Sequence, residues 1–130
     1  MDSANGIFGQ RYAADGTATG AEFHVNTATD DIQDYPNIVA LDDGGFLAIW
    51  GTGVANDPTD PDNGFYLQRY DAVGATVGGE VRLETPGSAN VDYSSQNLKA
   101  IELDGGGFAM LWRDQDTFEF SVQKFDDAGQ

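Results

Sequence analysis

The 130-residue sequence predicts an all-β protein made of tandem four-stranded antiparallel sheets. Three observations support this fold class: a segment that recurs at a fixed spacing, short strand-like runs separated by Gly and Asp, and an acidic composition dominated by Asp. Asp is common in turns, whereas Glu is the better helix former. No segment has a convincing helical period.

The recurring segment is visible when two stretches are aligned without a gap. Residues 6–26 read GIFGQRYAADGTATGAEFHVN, and residues 64–84 read GFYLQRYDAVGATVGGEVRLE, at an offset of 58. Eight positions are identical, among them Gln10 with Gln68 and Arg11 with Arg69. A duplication of this length is typical of a supersecondary unit that packs against copies of itself.

The second half of the unit recurs as well. LDDGGFLAIW at 41–50 matches LDGGGFAMLW at 103–112 at an offset of 62, which predicts a four-residue insertion near 94–97. FSVQKFD at 120–126 matches FYLQRYD and opens a third unit. We therefore interpret residues 1–130 as one repeat domain, and both of its ends are expected to be cuts through a longer array. The units are repeat 1 at about 6–63, repeat 2 at about 64–118 and the start of repeat 3 at about 119–130.

Alternating polarity and turn residues predict nine strands, grouped as two, four and three. Hairpin turns are expected at Asp15-Gly16, at 42–45 and at 104–106, since Gly adopts positive φ without strain. The predicted strands lie near 7–13, 21–26, 37–42, 46–52, 65–71, 79–84, 98–103, 107–113 and 118–125.

The strand from Phe46 to Trp50 is apolar on both faces, whereas a strand of an ordinary sandwich alternates. Two apolar faces are expected where a sheet packs between two neighbours, as β-propeller blades do. The predicted architecture is therefore a partial propeller, with a β-solenoid or a β-sandwich as alternatives. A propeller closes with about 4–8 blades, so this chain would be a fragment of one or would assemble into a ring.

The composition limits the classes of partner. There are 22 acidic and 6 basic residues, and the net charge of -16 argues against nucleic acid. It permits hard cations such as Ca²⁺, although acidic residues also keep a β-rich surface soluble. The absence of Cys excludes disulfides and thiolate metal sites. No apolar run approaches the roughly 20 residues of a membrane span, and the N-terminus does not have the pattern of a signal peptide.

A signature, GQRYxxDGxxxGxEFxVN followed by P-xVAL-DGGFxxxW, is carried by Gly9–Asn26 and Pro36–Trp50, and again by Gln68–Glu84 and Leu103–Trp112. It resembles repeats of large secreted bacterial proteins of the haemolysin-type calcium-binding (RTX-like) and adhesin class. The resemblance covers nearly the whole chain and implies an extracellular or cell-surface setting, with export that needs no cleaved N-terminal signal.

One departure from that class concerns calcium. Its calcium-binding nonapeptide, G-G-x-G-x-D-x-U-x, is absent, because Phe108 follows the glycines at 105–107. Calcium binding is therefore not implied by that motif. No cofactor is required, and Ca²⁺ is the one candidate.

Two acidic loops are the candidate metal sites, because carboxylates at alternate positions suit a hard cation. The competing interpretation is a solvated acidic loop, since Pro61 falls where a ligand of a regular calcium loop would be. The candidate ligands are Asp57, Asp60 and Asp62 in one loop and Asp30, Asp31 and Asp34 in the other.

Three cations share one repeat position: Arg11, Arg69 and Lys124. We expect a repeated ion pair with an Asp of a neighbouring strand or turn, because the planar guanidinium binds carboxylates bidentately. The functional alternative for Arg11 and Arg69 is an anion or glycan contact. Trp50 and Trp112 are also equivalent, and the alternatives are core packing between sheets or a sugar-stacking platform.

The sequence predicts no enzyme activity. The only histidine, His24, aligns with Arg82 and is expected on an exposed strand face. No serine has a partner base at a recognisable spacing, and most carboxylates occupy predicted turns. The expected function is a non-catalytic repeat module of a secreted or cell-surface bacterial protein, with a spacer or adhesion role. A lectin-like module formed between blades or by ring assembly is the alternative. Expected partners are further copies of the repeat, in a longer chain or a homo-oligomer, and surface glycans, without nucleic acid or a membrane span.

Overall fold

The computed structural model describes residues 6–27, 32–52, 64–83, 98–113 and 117–130, and these contain nine strands and no helix. The strands are β1 (Phe8–Tyr12), β2 (Ala18–His24), β3 (Gln33–Ala40), β4 (Phe46–Thr52), β5 (Gly64–Tyr70), β6 (Thr76–Leu83), β7 (Lys99–Glu102), β8 (Phe108–Arg113) and β9 (Phe120–Phe125).

The strands form three antiparallel sheets that follow the chain. The first sheet has the order β1-β2, the second β3-β4-β5-β6 and the third β7-β8-β9. The predicted grouping of two, four and three strands is therefore confirmed, as is the all-β class. The predicted insertion near 94–97 lies outside the described residues.

Three strands, β2, β3 and β6, begin three or four residues earlier than predicted. Strands β2 and β6 extend back across Gly20 and Gly78, which lie inside the strand at positive φ, beside a shift in register. Strand β3 was predicted from residue 37, yet its pairing extends back to Gln33, across Pro36 and an irregularity between Asp34 and Asn37. Proline is tolerated there because it lies at the bulge of an edge strand.

The turns that follow β1, β5 and β9 have the same main-chain hydrogen bonds. Ala13, Asp71 and Asp126 each donate a main-chain N–H to the residue four positions on, and each accepts from the glycine three positions on. Gly16, Gly74 and Gly129 all have positive φ there. The side chain of Asp71 accepts from two N–H groups of its own turn, and Asp126 does the same.

The second sheet contributes buried side chains to a core on each face, as the two-faced apolar strands predicted. Its forward face, defined as the face toward the third sheet, contributes Leu47, Ile49 and Leu67 to a core with Met110 and Trp112 of the third. Its rear face, defined as the face toward the first sheet, forms the second core. The side chains of that core are Ile7, Val25, Ala48, Trp50 and Tyr70, with Phe23, Phe46 and Tyr66 packed against them. Every sheet contact in the described chain is thus between sheets that are consecutive in sequence.

Candidate functional site: the contacts between successive sheets

The two tryptophans occupy cores. Trp50 is fully buried, and its indole Nε1 donates to Oε1 of Gln33 at 2.8 Å. Gln33 in turn donates to the hydroxyl of Thr52 at 2.8 Å. Trp112 is 5% exposed and packs its ring edge-on against Phe65 of the preceding sheet. Core packing is therefore confirmed for both side chains, and neither indole presents a face on which a sugar could stack.

The aligned glutamines Gln10 and Gln68 make the same two contacts. Each Nε2 donates to the carbonyl of the next residue at 2.9 Å. Each also donates across the sheet, Gln10 to Gly20 O at 3.3 Å and Gln68 to Gly78 O at 3.4 Å. The glutamine thus joins β1 to the bulged glycine of β2 in the first sheet, and β5 to that of β6 in the second.

Arg11 reaches from the first sheet to the turn of the next unit. Its guanidinium donates to the carbonyls of Ala72, at 2.7 Å, and Val73. A Cβ added to Gly74 would lie 2.8 Å from Nη1 of Arg11, so a larger residue there would displace the guanidinium. The contact joins two sheets that are consecutive in sequence through main-chain acceptors.

Arg69 lies at the aligned position one unit later and also reaches the next unit. Nη1 donates to Asp127 in the turn after β9 at 3.3 Å, and Nη2 donates to Asp43 at 2.7 Å. The N–H of Gly45 is the main cause that holds the pKa of Asp43 below its usual range, and the hydrogen bond from Arg69 adds to it. The predicted ion pair is confirmed here.

The expected repetition of the ion pair is wrong for Arg11. Its turn carries Ala72 where the turn after β9 carries Asp127, so carbonyl oxygens serve as the acceptors. Lys124, the third cation, is exposed on β9, and no described carboxylate pairs with it. The repeated element is the reach of the cation toward the next unit, and the acceptor varies.

Asp127 also substitutes for a residue that the third sheet lacks. In the second sheet, Oδ1 of Asp43 accepts from Gly45 N at 2.8 Å and caps the β3-β4 hairpin. The aligned hairpin has Gly105 in place of that aspartate, and Oδ1 of Asp127 accepts from Gly107 N at 2.8 Å instead. One carboxylate therefore caps a hairpin of its own sheet and binds a cation of the preceding sheet.

We predict that Arg69→Met lowers the free energy of unfolding by about 1 kcal/mol at neutral pH, because it removes a charge-assisted contact between partly exposed groups while keeping the aliphatic stem. Urea denaturation would measure the change. Val122→Met, on an exposed face of β9, is the control and should change stability little.

The same comparison at low pH distinguishes the ion pair from packing of the aliphatic stem. A depressed folded-state pKa means that Asp43 contributes stability above its ordinary value of 3.8, and that this is lost as pH falls through the lower folded value. The difference in free energy of unfolding between wild type and Arg69→Met should therefore narrow below about pH 3.8. A gap that persists unchanged into acid would show that packing of the stem, and not the ion pair, is the source.

The forward faces of the second and third sheets differ strongly in exposure at aligned positions. On the forward face of the second sheet Val39, Phe65 and Leu67 are 2–3% exposed. Their counterparts on the third sheet, Ile101, Phe120 and Val122, are 60–68% exposed. The third sheet therefore presents to solvent the same apolar pattern that the second sheet buries.

Most of the candidate metal ligands cannot be placed. Asp30, Asp31, Asp57, Asp60 and Asp62 lie outside the described residues. Asp34 is exposed in β3, where it pairs with Gly51. Within the described part of the chain no three His, Asp or Glu side chains are grouped as metal ligands would be. The calcium site stays a prediction.

His24 is exposed on β2, as expected, and stacks on Phe8 with ring centroids 4.6 Å apart. None of the described ranges contains a helix long and apolar enough to cross a membrane.

No protein-family model, curated protein or solved structure matches this chain.

Proposed function

We propose that the chain is a non-catalytic repeat module of a secreted or cell-surface bacterial protein, in which blade-like sheets stack in chain order as part of a propeller. Its role is to space or present adhesive surfaces in an array of like units. The observation that carries the proposal is the apolar forward face of the third sheet, exposed where its counterpart on the second sheet is buried.

Aligned positions keep their direction from one unit to the next. Trp50 and Trp112 both point toward the preceding sheet, while Arg11 and Arg69 both reach the turn of the following unit. Such contacts are heterologous, since a forward face meets a rear face, and they can be added one unit at a time. This supports stacked repeats over a two-sheet sandwich, in which each sheet has one buried face.

The rear face of the first sheet supports the same proposal from the other end. Tyr70, on the rear face of the second sheet, is buried, whereas its counterpart Tyr12 is 65% exposed. Burial raises the pKa of the Tyr70 hydroxyl, and the nearby Glu80 adds to the effect. Both terminal sheets thus carry an aromatic or aliphatic face that is covered in the middle sheet.

The proposal is tested by giving the chain one more unit. Since Gln130 aligns with Ala75, a second copy of residues 76–130 placed after Gln130 continues the repeat without a gap. The sequence has no Cys, so Val122→Cys supplies a single reporter on the forward face. We expect a thiol reagent to modify this cysteine at least about tenfold more slowly in the extended chain, because local opening must precede reaction at a covered site.

The matched control is Leu67→Cys, which should react slowly in both chains because Leu67 is already covered by the third sheet. Equal reaction rates of Val122→Cys in the two chains, with the added unit folded by circular dichroism, would refute stacking of like sheets. Calcium stabilisation and a glycan contact at Arg11 or Arg69 remain predictions that this experiment does not address.

A further inference from the structure

The β3–β4 turn at 41–45 and the β7–β8 turn at 103–107, the glycine turn, are aligned in the repeat but differ in composition. The same pair of main-chain hydrogen bonds closes both turns. However, the three glycines at 105–107 all have positive φ, whereas Gly44 alone has positive φ at 41–45. Glycine loses more conformational freedom on folding than any other residue, so a turn of three glycines needs more contacts to stay ordered.

The turn at 41–45 provides its own side-chain cap. Oδ1 of Asp43 accepts from Gly45 N at 2.8 Å, and both residues belong to the turn. Gly105 stands at the position of Asp43 in the glycine turn and has no side chain that could accept. A cap for the glycine turn must therefore come from elsewhere in the fold.

Contacts with the second sheet lie at both ends of the glycine turn. At its start, Oε1 of Glu102, the last residue of β7, accepts from Asp42 N at 2.7 Å. At its end, Oδ1 of Asp127 accepts from Gly107 N at 2.8 Å, and Oδ2 of the same carboxylate accepts from Nη1 of Arg69 at 3.3 Å. The three glycines are thus held between two carboxylates that each bind a group of the second sheet.

The turn at 41–45 depends less on the third sheet. Its cap is internal, and Asp42 is exposed, so water can take the place of Glu102 on the Asp42 N–H. Arg69 also keeps its shorter contact, 2.7 Å to Asp43, when Asp127 moves away. Opening of the glycine turn therefore leaves the turn at 41–45 with its cap and its cation.

We propose that the second sheet orders the glycine turn of the third sheet, and that this turn opens locally while the turn at 41–45 stays closed. Glu102 and Asp127 transmit the order, because each holds one end of the glycines and each binds the second sheet. The coupling is a conformational device by which the β7–β8 hairpin takes its final form on a neighbouring sheet that is already ordered. It goes beyond the proposed function and does not rest on it, since all of these contacts lie within the chain.

Native-state amide exchange, measured by NMR on the 130-residue chain, tests the coupling because the two turns supply matched amides. The donors are Leu103, Gly106 and Gly107 in the glycine turn and Leu41, Gly44 and Gly45 in the other. In the wild type we expect protection factors at least about fivefold lower in the glycine turn, since one or two contacts decide whether it is closed.

Two substitutions outside the glycine turn should loosen it selectively. Arg69→Met removes the cation from Asp127, and Glu102→Ala matches Ala40, the aligned residue of the second sheet. Each should lower the protection factors of the glycine turn by at least about a further fivefold, and those of the turn at 41–45 by less than about twofold.

The control is Val25→Ala, in the core between the first and second sheets. It lowers stability away from both turns and should leave the ratio of their protection factors unchanged. The inference is overturned if the two turns are equally protected in the wild type, or if Arg69→Met and Glu102→Ala affect both turns alike. A ratio that Val25→Ala changes as much as they do would equally overturn it.

Discussion

Leu67→Ala is expected to lower the free energy of unfolding by about 2–5 kcal/mol, whereas Val122→Ala at the aligned position changes it by less than about 0.5 kcal/mol. Leu67 is 2% exposed in the core between the second and third sheets, and its truncation leaves a void that rigid neighbours fill only in part. Val122 carries the same position of the repeat and is 68% exposed. Urea denaturation of the two variants measures both values.

Phe65→Ala and Phe120→Ala form a second aligned pair. They repeat the comparison of a buried with an exposed side chain, so the conclusion does not depend on one position. Replacing the buried Phe65 should lower the free energy of unfolding by about 3–5 kcal/mol, and replacing the exposed Phe120 should change it little. If Val122→Ala and Phe120→Ala both cost as much as their partners, the forward face of the third sheet is covered in solution. That result would contradict the open face described above and would indicate self-association, which sedimentation velocity would reveal.

Trp50→Ala is expected to lower the free energy of unfolding by about 3–5 kcal/mol, the largest effect of a single substitution on the rear face. The indole is fully buried, contacts the ring of Tyr66 and donates to Gln33. Trp50→Phe keeps most of the apolar volume but leaves the amide oxygen of Gln33 without its donor, so it should cost about 1–3 kcal/mol. Thermal and urea unfolding followed by far-UV circular dichroism would give both values.

The double variant Trp50→Phe with Gln33→Met separates volume from hydrogen bonding. Removing both partners of a buried hydrogen bond is close to neutral, so the second substitution should recover part of the loss even though Thr52 also loses a partner. A double variant less stable than Trp50→Phe alone would show that Gln33 acts mainly through Thr52.

Much of the fold follows from the sequence, because the signals are local. Hairpin glycines such as Gly44 and Gly74 have the positive φ that the turns require, and two-faced apolar strands such as Phe46 to Trp50 predicted a sheet between two others. Strand starts were predicted less well at Gly20 and Gly78. A glycine at positive φ forms a turn or a bulge equally well, and only the pairing across the sheet decides between them.

The candidate site was less predictable, because its contacts join residues far apart in sequence. A shared position indicated that Arg11 and Arg69 make similar contacts, but nothing in one unit indicated that the acceptors lie in the next unit. The buried contacts of Gln33 were missed because the predicted strand began at residue 37 and left Gln33 outside it. Its spacing from Trp50 by 17 residues depends on the loop between β3 and β4.

Asp127 shows how copies of such a unit can diverge without loss of a contact. A carboxylate at position 43 or at the counterpart of position 127 can cap the same hairpin, so neither position needs to be retained by itself. The order of the two substitutions matters. If the aspartate at position 43 is lost before one is gained at the counterpart of position 127, the hairpin glycine N–H has no carboxylate acceptor in the meantime. A sequence alignment that treats each position separately would score both positions as variable and would miss the compensation between them. Units with the same structure would then appear less similar than they are.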